Sequence, residues 1–195
     1  MTKAERTRAF IIEKTAPIFN KKGFAGTSLN DITAATGLTK GSIYGNFANK
    51  DEVALAVFDY NFERANAGIS QQIAGQKDAE SKLLVYVSAY TDFFNTQCEQ
   101  GGCPVLNTAV EADDTHPKLR KKAAAAVLAW KNKIVAIIND GIANKEFRSE
   151  VNASQMALTM IAMIEGAIMI SKLLNDKNHI ADVMQSMKKM IIELS

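Results

Sequence analysis

Between Thr27 and Phe47 the chain carries two short helical segments, about 28–36 and 39–45, separated only by Gly37-Leu38. A glycine that stops one helix, followed at once by a residue suited to start the next, makes the two cross steeply within a few residues. Few arrangements bury so short a pair. Leu29, Ile32, Leu38, Ile43 and Phe47 fall at spacings that pack the two segments into a miniature core. Thr39, Lys40, Ser42, Gly45 and Asn46 are then left at or near the outer face of the second segment. Ser28 and Thr39 suit N-caps, and Asn49 with Glu52 three residues later resembles a capping box opening a longer helix over about 51–73.

The rest of the chain reads as helix too, since it holds three prolines and little alternation at period two. A first helix is predicted over about 3–22, with Ala9, Ile12, Ala16 and Phe19 on one face, Gly23 as its stop, and Pro17 expected to kink or offset its last turn. Beyond Gly75 come long amphipathic segments: about 79–96, a shorter one over 105–112, one from Pro117 to about 144, one from Asn152 to about 174, and a last one opened by Asn178. The expectation is an all-α fold of about nine helices. Residues 1–50 form an N-terminal three-helix domain that extends into the linking helix 51–73, and 74–195 form a second helical domain.

Charge separates the same two parts. Residues 1–50 hold eight Lys/Arg against three acids, a net +5, which leaves −3 for the remainder of a chain whose total is +2. A basic head on a slightly acidic body is the electrostatic footprint of a nucleic-acid reader, although a solvated basic surface gives the same count.

The segment TSLNDITAATGLTKGSIYGNFANKDEVALAVF resembles the N-terminal domain of the tetracycline-repressor (TetR) family. The family pattern is filled by Gly26 and Thr27, by Ile32, Gly37, Leu38, Thr39 and Gly41, by Tyr44 and Phe47, and by Lys50, Asp51 and Glu52. Thr33 and Thr36 stand where the family favours alanine, and Asn46 where it often has histidine. The resemblance implies a homodimeric transcriptional repressor, released from double-stranded operator DNA by a small-molecule effector. It implies phosphate contacts from Thr27, Tyr44 and Lys50. Thr39, Lys40, Ser42 and Asn46 would face base edges, with Gly41 allowing close backbone approach. A transcriptional activator using the same head is the alternative.

The stretch MALTMIAMIEGAIMI, residues 156–170, has Glu165 as its only strongly polar residue and must be covered on more than one side. The resemblance implies a four-helix bundle across a two-fold axis. Met156, Met160, Met163, Gly166, Ala167 and Ile170 would line it from one helix, and Val183, Met187 and Met190 from the last. A buried central helix of a monomer is the plainer alternative. Tyr86, Tyr90, Phe93, Phe94, Cys103 and Trp130 are candidates for an effector pocket among the middle helices, against the reading that they are core.

Cys98 and Cys103 bracket Glu-Gln-Gly-Gly, so either a redox-responsive thiol pair or a buried Cys103 before Pro104 fits. Glu111, Asp113, Asp114 and His116 are metal-ligand types, but helix punctuation explains the run equally well, and neither metal nor cofactor is expected. Neither a hydrolytic Ser/His/Asp or Cys/His set nor a phosphate-binding glycine loop is visible, and no enzyme activity is expected. No run of 18 apolar residues and no signal-type start is seen, which points to a cytoplasmic protein.

Overall fold

The computed structural model describes residues 1–92 and 101–195, and every regular element among them is a helix. In chain order these are α1 (Lys3–Gly26), α2 (Leu29–Thr36), α3 (Lys40–Tyr44), α4 (Lys50–Ala74), α5 (Ala79–Thr91), α6 (Pro104–Ala112), α7 (Pro117–Ala143), α8 (Ala153–Leu174) and α9 (Asn178–Ile192).

The helix starts follow their caps. Thr2 and Glu5 form a reciprocal box at α1, Ser28 and Asp31 another at α2, while Asp78 and Asn152 cap α5 and α8 through the N–H groups of Ser81 and Gln155. Pro17 does not break α1. It lies exposed, as does Glu13, so the carbonyl that loses its helical partner is on the solvent side of the helix. The break comes at Gly23, which leaves helical geometry at φ 71°, ψ −177° before residues 24–26 make one further turn.

Two compact units form. The first comprises Met1–Arg64 and Cys103–Ala124, the second Ala65–Gly102 and Ala125–Ser195. This division differs from the one drawn in sequence, because α6 and the start of α7 return to the N-terminal unit. In that unit Ile11, Phe19, Ile32, Ile43, Phe47, Val57 and Leu119 are buried. Asn61 Nδ2 of α4 donates to Ala16 O of α1 at 3.1 Å, and Asn107 Nδ2 of α6 to Asn20 O at 3.0 Å.

In the second unit α9 packs on both α8 and α5, burying Ile180, Met184, Met187 and Ile191. Glu146 accepts the Ala79 N–H at the start of α5 at 2.5 Å. A Cβ on Gly141, in the last turn of α7, would overlap the Phe147 ring and crowd the Ala79 side chain, so glycine lets these groups pack against the helix. By length and composition α8 is apolar enough to cross a membrane, which the count of uninterrupted apolar residues had not suggested; one of its faces, including Met160, Ile164 and Ile168, is buried in this unit.

Candidate nucleic-acid interface

Helices α2 and α3 are held over a core in which Ile32, Ile43 and Phe47 are almost wholly buried. Gly37 ends α2 in the left-handed region at φ 68°, its N–H donating to Thr33 O, and Thr39 then caps α3 by accepting the Ser42 N–H at 3.2 Å. The surface left outside is small and polar. Thr39, Lys40, Gly41 and Gly45 are exposed, Tyr44 is 49% exposed, and Ser42 and Asn46 are half-buried. A Cβ on Gly41 would meet only ordinary contacts within the chain. One amide hydrogen of Asn46 donates to Ser42 O at 2.9 Å, leaving the second for another acceptor.

Two of the eight sequence-chosen residues sit elsewhere. Thr27 is fully buried and its hydroxyl donates to Gly23 O at 2.7 Å. Lys50 turns inward: Nζ donates to Phe24 O at 2.8 Å and Thr27 O at 3.0 Å, and stands 4.1 Å from the centre of the Phe24 ring. The predicted phosphate ligands Thr27 and Lys50 thus hold the turn before α2, whereas Tyr44 stays at the surface.

The head is also tied by residues that local spacing does not reveal. Arg8 of α1 donates to Asn46 O and to Glu52 Oε1, both at 2.6 Å, and lies 4.0 Å from the Phe47 ring centre. Glu52 accepts the Ala48 N–H as well, and these two donors, Ala48 first, hold its carboxyl below the usual glutamate value. Lys22 pairs with Asp31 at 2.7 Å. That bond, with those from the Ser28 hydroxyl and N–H, holds the Asp31 carboxyl far below the usual aspartate range. From α6, Glu111 accepts the N–H groups of Phe24 and Ala25, each at 2.8 Å. The only sequence trace of these ties is unspent charge at Arg8 and Glu111.

In the second unit Trp130 stacks on Tyr90 with centroids 5.8 Å apart and lies tilted against Tyr86 at 6.5 Å. All three are buried, and the Trp130 indole N–H has no hydrogen-bond partner among the described residues. Burial pushes the Tyr86 phenol up to about 12, so it is neutral. Phe93, Phe94 and Cys98 lie outside the described residues, and Cys103 is buried in the first unit at the start of α6. An open groove of about 400 Å³ in the second unit is lined by Gln72, Gln76, Leu84, Lys188 and neighbours; of the described pocket candidates, Tyr86, Tyr90, Cys103 and Trp130 are not among them.

Of the residues chosen for a subunit contact, Met156, Met160, Ala167 and Met187 are buried within their own chain, Met163, Gly166, Val183 and Met190 are half-buried, and Ile170 is exposed. The large apolar residues that α8 leaves outside are Leu158, Met169, Ile170, Leu173 and Leu174. Glu111 and His116 serve packing within the first unit, His116 Nδ1 accepting the Leu119 N–H at 3.2 Å, and no metal-holding group occurs among the described residues.

Residues 11–57 match the family model for bacterial regulatory proteins of the tetR family, and residues 79–187 match the tetracyclin repressor-like C-terminal domain. A crystal structure of a TetR-family transcriptional regulator from Cytophaga hutchinsonii is similar at 48% identity, covering 100% of this chain and 98% of that one with a TM-score of 0.95. The HTH-type transcriptional regulator TtgR of Pseudomonas putida is 29% identical over 85% of this chain and 80% of its own. The HTH-type transcriptional repressor DhaR of a Mycobacterium species is 26% identical over 85% and 82%.

Proposed function

Because this chain belongs to the TetR family of transcriptional regulators, we propose that it is a cytoplasmic homodimeric repressor, holding a palindromic operator through α3 and releasing it when a small molecule binds the second unit. The observation that carries this reading is the outer face of α3, where Thr39, Lys40, Gly41 and Tyr44 stand exposed above a buried Ile43 and Phe47. Small and polar groups on a rigid support admit a helix to the major groove, and two such heads about 34 Å apart meet successive grooves. Lys40 and Tyr44 contact phosphate, and Thr39, Ser42 and Asn46 face bases. Thr27 and Lys50 contribute by fixing the turn that leads into α2.

The exposed apolar stripe of Leu158, Met169, Ile170, Leu173 and Leu174 supports pairing of two copies through α8. Trp130, Tyr86 and Tyr90 support an uncharged, flat effector that accepts a hydrogen bond from the indole, because a buried donor with no partner among the described residues gains most from such an acceptor.

Selection from a randomised duplex pool, followed by gel-shift titration, tests the assignment. The expected product is a palindrome, bound better than scrambled duplex and released by a neutral aryl ketone such as 2-acetonaphthone, which also quenches Trp130, the chain's one tryptophan. Failure to enrich any duplex overturns the DNA-binding reading; a bound palindrome that the ketone neither releases nor leaves with quenched Trp130 overturns the effector class.

A further inference from the structure

Gly23 sits where a helix cap belongs and has no side chain to serve as one. Its backbone leaves α1 at φ 71°, and the chain then starts a fresh turn at Phe24 and Ala25. The first N–H groups of any helical turn lack upstream carbonyls and need an acceptor from elsewhere. Here each goes to one oxygen of the Glu111 carboxylate, Phe24 N to Oε2 and Ala25 N to Oε1, both at 2.8 Å, across 87 and 86 residues of chain. The φ at Gly23 favours glycine, and a Cβ there would displace that carboxylate.

The other handles of the same turn are tied as well. Lys50 bonds the carbonyls of Phe24 and Thr27, the Thr27 hydroxyl bonds Gly23 O, and His116 meets the Phe24 ring edge-on with centroids 4.5 Å apart. The next residue, Ser28, caps α2. The turn therefore sets the start of the helix-turn-helix, and the two N–H bonds at its beginning end on a single side chain of α6.

We propose that Glu111 is a positioning residue for DNA reading, a cap supplied from α6 to the turn that carries α2 and α3. The inference rests on the DNA-binding reading above. The Ala25 bond lies at the surface and the Phe24 bond is only part-buried, so solvent reaches this turn when the carboxylate is removed and the fold is expected to persist. What is lost is a fixed position. A loosened turn must be ordered again on the duplex, and that cost appears as weaker specific affinity.

The test uses the full chain with the duplex selected by wild type, a scrambled duplex, and amide hydrogen exchange at Phe24 and Ala25. Glu111→Ala is expected to accelerate exchange at both amides and weaken binding of the selected duplex about tenfold, with scrambled-duplex affinity and thermal midpoint little changed. Glu111→Gln keeps one acceptor oxygen and falls between; Gly23→Ala displaces the same carboxylate and is expected to accelerate exchange at both amides, with a lower thermal midpoint as well because its φ strains an alanine. Faster exchange with wild-type affinity overturns the proposal, as does a loss shared equally by both duplexes and tracking the thermal midpoint across Ala and Gln. A wild-type chain that selects no duplex overturns the regulator reading itself, a result distinct from selection with an indifferent Glu111→Ala.

Discussion

Lys50 and Lys40 carry the same charge to different ends. The Lys50 ammonium donates to two backbone carbonyls and faces the Phe24 ring, while Lys40 stands exposed at the start of α3. A lysine that neutralises a phosphate releases a counterion, so its loss lowers the slope of log affinity against log salt by about one. Lys40→Ala is expected to do this with the thermal midpoint unchanged. Lys50→Met leaves carbonyls unpaired beside a part-buried ring, and it is expected to lower both midpoint and affinity while the salt slope stays put. Titrations at four or five salt concentrations separate the two. A reduced slope for Lys50→Met would return that residue to the DNA surface.

At the scale of the element, α2 is eight residues long, too short to be stable alone. It depends on its ends: the Ser28–Asp31 box and the Lys22 bond at one, left-handed Gly37 at the other. The Asp31 carboxyl is held low in the fold by Lys22 and by the Ser28 hydroxyl and N–H, so its contribution is present above the ordinary aspartate pKa of about 4 and fades as pH falls through the folded value. Asp31→Asn is therefore expected to be less stable than wild type at neutral pH, with the gap closing in acid. Denaturant midpoints measured from pH 7 downward check this; a gap that stays constant would show that the charge is irrelevant. Glu52, held low by the Ala48 N–H and Arg8, adds stability of the same sign.

For the whole molecule, the divided faces of α8 decide what each substitution does. Met160 and Ile164 are inside their own unit, whereas Leu173 is 80% exposed. Leu173→Glu is expected to leave the monomer's stability near wild type and to shift sedimentation from dimer to monomer, weakening operator binding because the two heads lose their common frame. Met160→Ala instead removes buried volume and is expected to cost about 2–5 kcal/mol of unfolding free energy. Equal sedimentation of Leu173→Glu and wild type would place the subunit contact on another face.

The sequence by itself determined the all-helical class, the helix-turn-helix and the caps at Ser28, Thr39 and Asn152, because these depend on residues within four positions of one another: Ser28 with Asp31, Thr39 with Ser42, Gly37 after Thr36. It also marked Gly23 as a break. Only the tertiary structure decided which side of each helix is spent. Periodicity shows that Met156 and Met160 lie on an apolar helix but not that they face their own core, and charge type does not tell an inward Lys50 from an outward Lys40. It decided, too, that α6 returns to the first unit and that Glu111 reaches a turn 87 residues away. Such pairings are set by packing between elements distant in sequence, and no local pattern encodes them.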